Sequence, residues 1–104
     1  MSNHAEKEII EISSLMLEGE LDLIEGCRKL VALFHQTSDA GNEAFFPIRG
    51  VDSETDHFPL GSMRDHCSAE YLERADKEIA EYLGDRESEI IDSCKNIIAF
   101  LREK

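Results

Sequence analysis

The segment Gly50-Val-Asp-Ser-Glu-Thr-Asp-His-Phe-Pro-Leu-Gly61 gathers the side chains of this chain best suited to chemistry. Asp52, Glu54 and Asp56 alternate as the first oxygen ligands of a calcium loop do. The sixth position of such a loop requires glycine and here is His57. The twelfth requires a bidentate glutamate and here is Met63, so the calcium reading fails. Asp52, Asp56, His57 and His66 form a looser candidate set for a divalent metal. The two histidines, however, are nine residues apart in the sequence, outside the usual zinc spacings. Ser53 with His57 lacks the G-x-S-x-G elbow of a serine hydrolase. Glu54 with His57 could pair as acid and base only inside a pocket. No Walker A, G-x-G-x-x-G or H-E-x-x-H motif is present. We therefore expect no catalytic residue, no cofactor and no bound metal. The alternative is a small metal-dependent enzyme or sensor centred on Asp56, His57 and His66.

The same segment can instead be structural. Ser53, Thr55 and Asp56 can close side-chain-to-backbone turns, and Asp52 can accept from several N–H groups. Arg49 and Arg64 bracket the segment and are natural bidentate partners for its carboxylates. On this reading it staples Phe58 and Leu60 into the core. Cys27, Cys67 and Cys94 are odd in number and lack zinc spacing, which points to free thiols. Cys27 and Cys94 fall on apolar helix faces, where a thiol acts as a small hydrophobe. A carboxylate at Asp65 works against reactivity at Cys67.

The elements that must position these residues are helical. Ile9, Ile12 and Met16 repeat at helical spacing from Glu6 onward, until Gly19 interrupts after Glu18. Leu23 or Ile24, Cys27, Leu30, Val31 and Phe34 form a second stripe, with Glu20, Asp22 and Glu25 loading its positive end. Gly26 in mid-helix suggests that another backbone passes close by. From Thr37 to Gly61 the periodicity disappears, yet the segment is too apolar for a disordered linker. It reads as a long ordered loop with one short helical turn or strand, in which the prolines bias Phe46 and Phe58 towards extended backbone. Ser62 or Ser68 caps a third helix that Gly84 ends, and Asp85 caps a fourth carrying Ile90, Cys94, Ile97 and Leu101. The expectation is one all-α domain over residues 1–104, a small antiparallel bundle of about four helices around a long ordered central loop. Ile9, Ile12, Val31, Phe34, Ile79, Ile90, Ile97 and Leu101 should share its core.

Charge narrows the function. With 104 residues the chain suits one domain, and 11 basic against 23 acidic residues give −12. Binding nucleic acid or an anionic membrane surface requires an excess of Lys and Arg, so both partners are disfavoured. No apolar run approaches the roughly 20 residues of a membrane span. The start, MSNHAEKEIIEI, lacks the apolar core of a signal peptide, which with the free thiols points to the cytoplasm. Between Asp65 and Asp92 ten acids face three bases, leaving −7 locally. Glu70, Glu73, Glu78 and Glu81 would share a helix face there, with Glu70–Arg74 and Glu73–Lys77 as helix-spaced ion pairs.

The stretch IEGCRKL, Ile24 to Leu30, followed by GVDSETDHFPLGSMRDH, Gly50 to His66, resembles a group of small, poorly characterised bacterial proteins. That group shares a G-[IV]-D-S-E-T-D-x-[LF]-P-[LV]-G core after an arginine-containing helix. The core spans about twelve residues, and the wider resemblance covers most of the chain. Where the group carries a bulky aromatic after the arginine-containing turn, this chain has His66 and Cys67. The resemblance brings no catalytic residue with it. It implies the use to which small acidic bacterial proteins are often put, immunity against a secreted or contact-delivered toxin, as in contact-dependent growth inhibition. The expected partner is a cognate basic toxin domain, a nuclease, whose cationic cleft an acidic inhibitor can occlude by mimicking phosphates. Asp52, Glu54, Asp56, Glu70, Glu73 and Glu81 are the candidate partner-binding residues. A third reading is a self-associating helical domain whose acidic surface mimics nothing.

Overall fold

The computed structural model describes residues 2–103; Met1 and Lys104 lie outside it. Four α-helices follow in order: α1 (Ser2–Leu17), α2 (Leu23–Phe34), α3 (Phe46–Thr55) and α4 (Ala69–Arg102). Two 3-10 turns, Glu43–Phe45 and Gly61–His66, precede α3 and α4. Helix accounts for 79% of the protein and no strand occurs among the described residues, so the fold is all-α as expected. No helix among them is long and apolar enough to cross a membrane.

Local chemistry explains the first two helices. Ala5, Ile9, Ser13 and Met16 are buried along one face of α1. The helix then stops because Gly19 takes a left-handed φ of +76°, which only glycine adopts at little cost. The Glu20 N–H donates back to the Leu15 carbonyl at 2.9 Å and closes that end. At the start of α2 the Asp22 carboxylate accepts from the Glu25 N–H at 3.0 Å. Gly26 does admit a close neighbour, but that neighbour is a side chain and not a backbone. A Cβ built at Gly26 would lie 2.5 Å from Met16 Sδ, so α1 and α2 approach through a methionine laid on a glycine.

The central segment departs from expectation. Residues 46–55, read as loop with one short turn or strand, form the ten-residue α3. Pro47 sits in its first turn, where the missing N–H costs nothing and the fixed φ favours helix. Phe46 is accordingly helical, with φ −59° and ψ −46°, and not extended. Ile48, Val51 and Thr55 are buried at spacings of three and four. Three positions in a segment that also holds Gly50 are too few to announce a helix from sequence. Packing against α2 and α4 supplies what propensity lacks.

The second departure is α4, a single helix of 34 residues. Ser68 caps it, its hydroxyl accepting from the Tyr71 N–H at 3.1 Å. Gly84 does not end it and Asp85 caps nothing; both lie exposed in mid-helix. Gly84 has no positive φ, and a glycine in a helix costs only ~1 kcal/mol against alanine. The half-buried Ile79, Tyr82, Leu83 and Arg86 run in register with the buried Ile90, Cys94 and Ile97, so one continuous helix serves both stretches. At 1.5 Å per residue α4 has a contour of about 51 Å, so it runs the full 46 Å long dimension of the molecule.

The core lies among α1, α2, α3 and the second half of α4. Phe34 and Phe45 stack with ring centroids 3.9 Å apart, and Phe100 meets Phe45 edge-on at 6.2 Å. Of the eight expected core residues, Ile9, Phe34, Ile90, Ile97 and Leu101 are buried. Ile12 and Val31 are half-buried against that core, while Ile79 is half-buried outside it. Cys27 and Cys94 are fully buried as expected, with Cys94 Sγ 3.9 Å from Met16 Sδ. Burial pushes Cys27 up to about 12 and Cys94 up to about 11.

Candidate functional site

The acidic residues of α3 divide by what they touch. Asp52 lies 3.6 Å from the Arg28 guanidinium, which also donates to the Thr55 carbonyl at 2.7 Å. Arg28 thus clamps the C-terminal end of α3 from α2, where a cation suits both the free carbonyls and the helix dipole. Glu54 reaches towards α4. It accepts from the Tyr82 hydroxyl at 2.6 Å, and the Arg86 guanidinium approaches its other oxygen at 3.4 Å. Burial, and then the adjoining Glu54 carboxylate, raise the Tyr82 phenol well above its ordinary range. Arg86 also lies 3.6 Å from Glu89 and 5.6 Å from the Tyr82 ring centre. Asp52 and Glu54 are therefore engaged within the fold, whereas Asp56 at the end of α3 is exposed.

The arginines expected to serve these carboxylates do something else. Arg49 donates to the Ala40 carbonyl and fastens the segment before α3. Arg64 forks onto Asp76 at 2.9 and 3.0 Å, tying the second 3-10 turn to α4. That fork holds the Asp76 carboxyl below its usual range and the Arg64 guanidinium above its own. The partners actually used, Arg28, Tyr82 and Arg86, come from α2 and α4. Periodicity marks Tyr82 as a core-facing residue, and nothing in the sequence reports where its hydroxyl points.

Glu70, Glu73, Glu78 and Glu81 are all exposed on the first half of α4. The ion pairs expected at Glu70–Arg74 and Glu73–Lys77 are not among those formed within 4 Å. Asp85, Glu87 and Glu89 continue the exposed acidic surface. Residues 69–89 carry eight acids and three bases, a net −5. This stretch meets the end of α3 at a shallow cavity of about 260 Å³, lined by His57, Phe58, Tyr71, Arg74, Ala75 and Glu78. The fold thus brings the α3 end, with Asp56 and His57, beside the acidic helix. Asp52 and Glu54 belong to the contacts behind it.

Asp56, His57 and His66 do not converge on a metal. His57 packs on Phe58 with ring centroids 4.2 Å apart, and His66 is exposed at the end of the second 3-10 turn. Among the described residues no three His, Cys, Asp or Glu side chains are grouped to hold an ion. Cys67 is half-buried, its thiol donating to the Met63 carbonyl at 3.5 Å. Comparisons of the chain with protein-family models, with curated proteins and with solved structures give no match.

Proposed function

We propose that this protein is a cytoplasmic immunity protein that binds a cationic bacterial toxin domain, a nuclease, and occludes its active site. The observation that carries the reading is the first half of α4. Residues 69–89 carry a net −5 with all eight acids exposed, along a stretch whose one fully buried residue is Ala75. Such a surface steers a basic partner into encounter and can stand in for phosphates in a cleft built for polyanions. Glu70, Glu73 and Glu81 are the proposed contacts on α4, with Asp56 at its flank and Glu78 beside them. Asp52 and Glu54 contribute by fixing α3, Asp52 against Arg28 of α2 and Glu54 against Tyr82 and Arg86 of α4, and none of these residues does covalent chemistry.

Two measurements test this. Expressing the intact protein should protect cells from the toxin encoded beside its gene; failure to protect would end the immunity reading. Association with that toxin should slow as salt rises, because attraction between exposed charges is screened over about 8 Å at physiological ionic strength. Glu73→Lys and Glu81→Lys should lower the association rate in a folded protein. Protection that survives reversal of Asp56, Glu70, Glu73 and Glu81 together would show that phosphate mimicry is not the mechanism.

A further inference from the structure

Where the end of α1 lies along the last turns of α4, a shallow groove of about 430 Å³ opens. Leu17, Ile98 and Ala99 give it an apolar floor, Glu18 stands on the α1 wall, and Lys95 and Arg102 stand on the α4 wall. No ion pair within 4 Å joins Glu18 to either base, and among the described residues no other ion pair engages these three side chains. Residues 90–102 carry two bases and one acid, a net +1 in a chain of −12. A basic partner is the wrong occupant for the Lys95 and Arg102 wall. A chain that offers an acid and two bases along one groove is the right one, and this chain is itself such a molecule.

We infer that the groove seats a second copy of the chain in a two-fold dimer. A two-fold axis running along the groove lays α1 of each copy over α4 of the other. Glu18 of each copy then faces Lys95 and Arg102 of the other, twice over, while the Leu17, Ile98 and Ala99 floors meet. The acidic stretch of α4 is centred near Ile79, about 24 Å along the helix from Lys95. This inference is independent of the toxin-binding reading, which uses the other end of α4.

Sedimentation equilibrium of the full chain at roughly 150 mM salt tests it, with circular dichroism confirming that each variant folds. The wild type should populate a species of twice the chain mass. Glu18→Lys alone should weaken the dimer on the order of tenfold or more, because its copies oppose base to base. Lys95→Glu combined with Arg102→Glu should do the same by opposing acid to acid. Mixing the two variants should restore the dimer, since each now supplies the charge that the other needs at both contacts. A wild type that stays monomeric to about 1 mM overturns the inference and leaves the groove to a different chain. A dimer indifferent to either variant, or a mixture no tighter than its parts, overturns it equally, because the copies would then meet elsewhere.

Discussion

In α4, residues 69–89 bury Ala75 alone, whereas residues 90–102 bury Ile90, Ser93, Cys94, Ile97 and Leu101. The first stretch carries −5 and the second +1. One continuous helix is therefore held by two kinds of force. Its second part is held by apolar burial against α1, α2 and the Phe45 turn. Its first part packs Ala75 and the half-buried Tyr82 and Leu83 inward, and leans more on directional ties at its flanks, Tyr82 and Arg86 to Glu54 and Asp76 to Arg64. Burial is non-directional and scales with area, so it fixes the second part even if single contacts change. Hydrogen bonds contribute about 0.5–1.5 kcal/mol each and depend on geometry, so the first part is the less stable half.

The sharpest way to break this contrast is truncation. Ile97→Ala should lower unfolding free energy by about 2–5 kcal/mol, while Ile79→Ala, half-buried outside the core, should cost about 1 kcal/mol or less. Urea denaturation of both would show whether the halves differ; equal losses would mean that they do not.

Alkaline titration probes the buried half next. Cys27 and Cys94 keep their protons in the fold up to about 12 and about 11, against an ordinary value of 9.0. The unfolded chain binds fewer protons than the native one between those values, so stability falls as pH rises above 9. By pH 10 the loss should be about 1.4 kcal/mol per thiol. Cys94→Ala should lose that much less between pH 8 and pH 10 than the wild type. An identical loss would mean that the Cys94 thiol is not held in the core.

The flanking ties sharpen the comparison from the other side. Tyr82→Phe removes the 2.6 Å bond to Glu54 and should cost about 0.5–1.5 kcal/mol. Amide exchange should quicken over residues 69–89 and stay unchanged over 90–102. Uniform quickening would show that the helix opens as one unit.

The smallest effect has the opposite sign. Nothing lies within 4 Å of a Cβ at Gly84, and its backbone is helical. Gly84→Ala should raise stability by about 0.5–1 kcal/mol. A lower melting temperature would reveal a break in α4 at that residue.

Much of this was legible in the residues themselves. The apolar stripes of α1 and α2, the stop at Gly19, the acidic start of α2, Ser68 as one of two candidate caps, the buried Cys27 and Cys94, and the exposed acids of α4 all follow from spacing and residue type. The all-α class follows with them, because 3.6-residue periodicity at both ends leaves no strand pattern to compete. The helix at 46–55 was hidden, since Ile48, Val51 and Thr55 mark its inner face only once α2 and α4 are there to receive them. The continuity of α4 was hidden for a related reason. Gly84 and Asp85 are good local stop and start signals, but a cost of ~1 kcal/mol is outweighed when one continuous helix packs side chains on both sides of it, Tyr82 and Leu83 before and Ile90 and Cys94 after. The carboxylate partners were least legible. Arg28, Tyr82 and Arg86 lie 24 to 32 positions from the acids they hold. Sequence determines which groups can form an ion pair or hydrogen bond; only the packing of helices decides which of them come within about 3 Å.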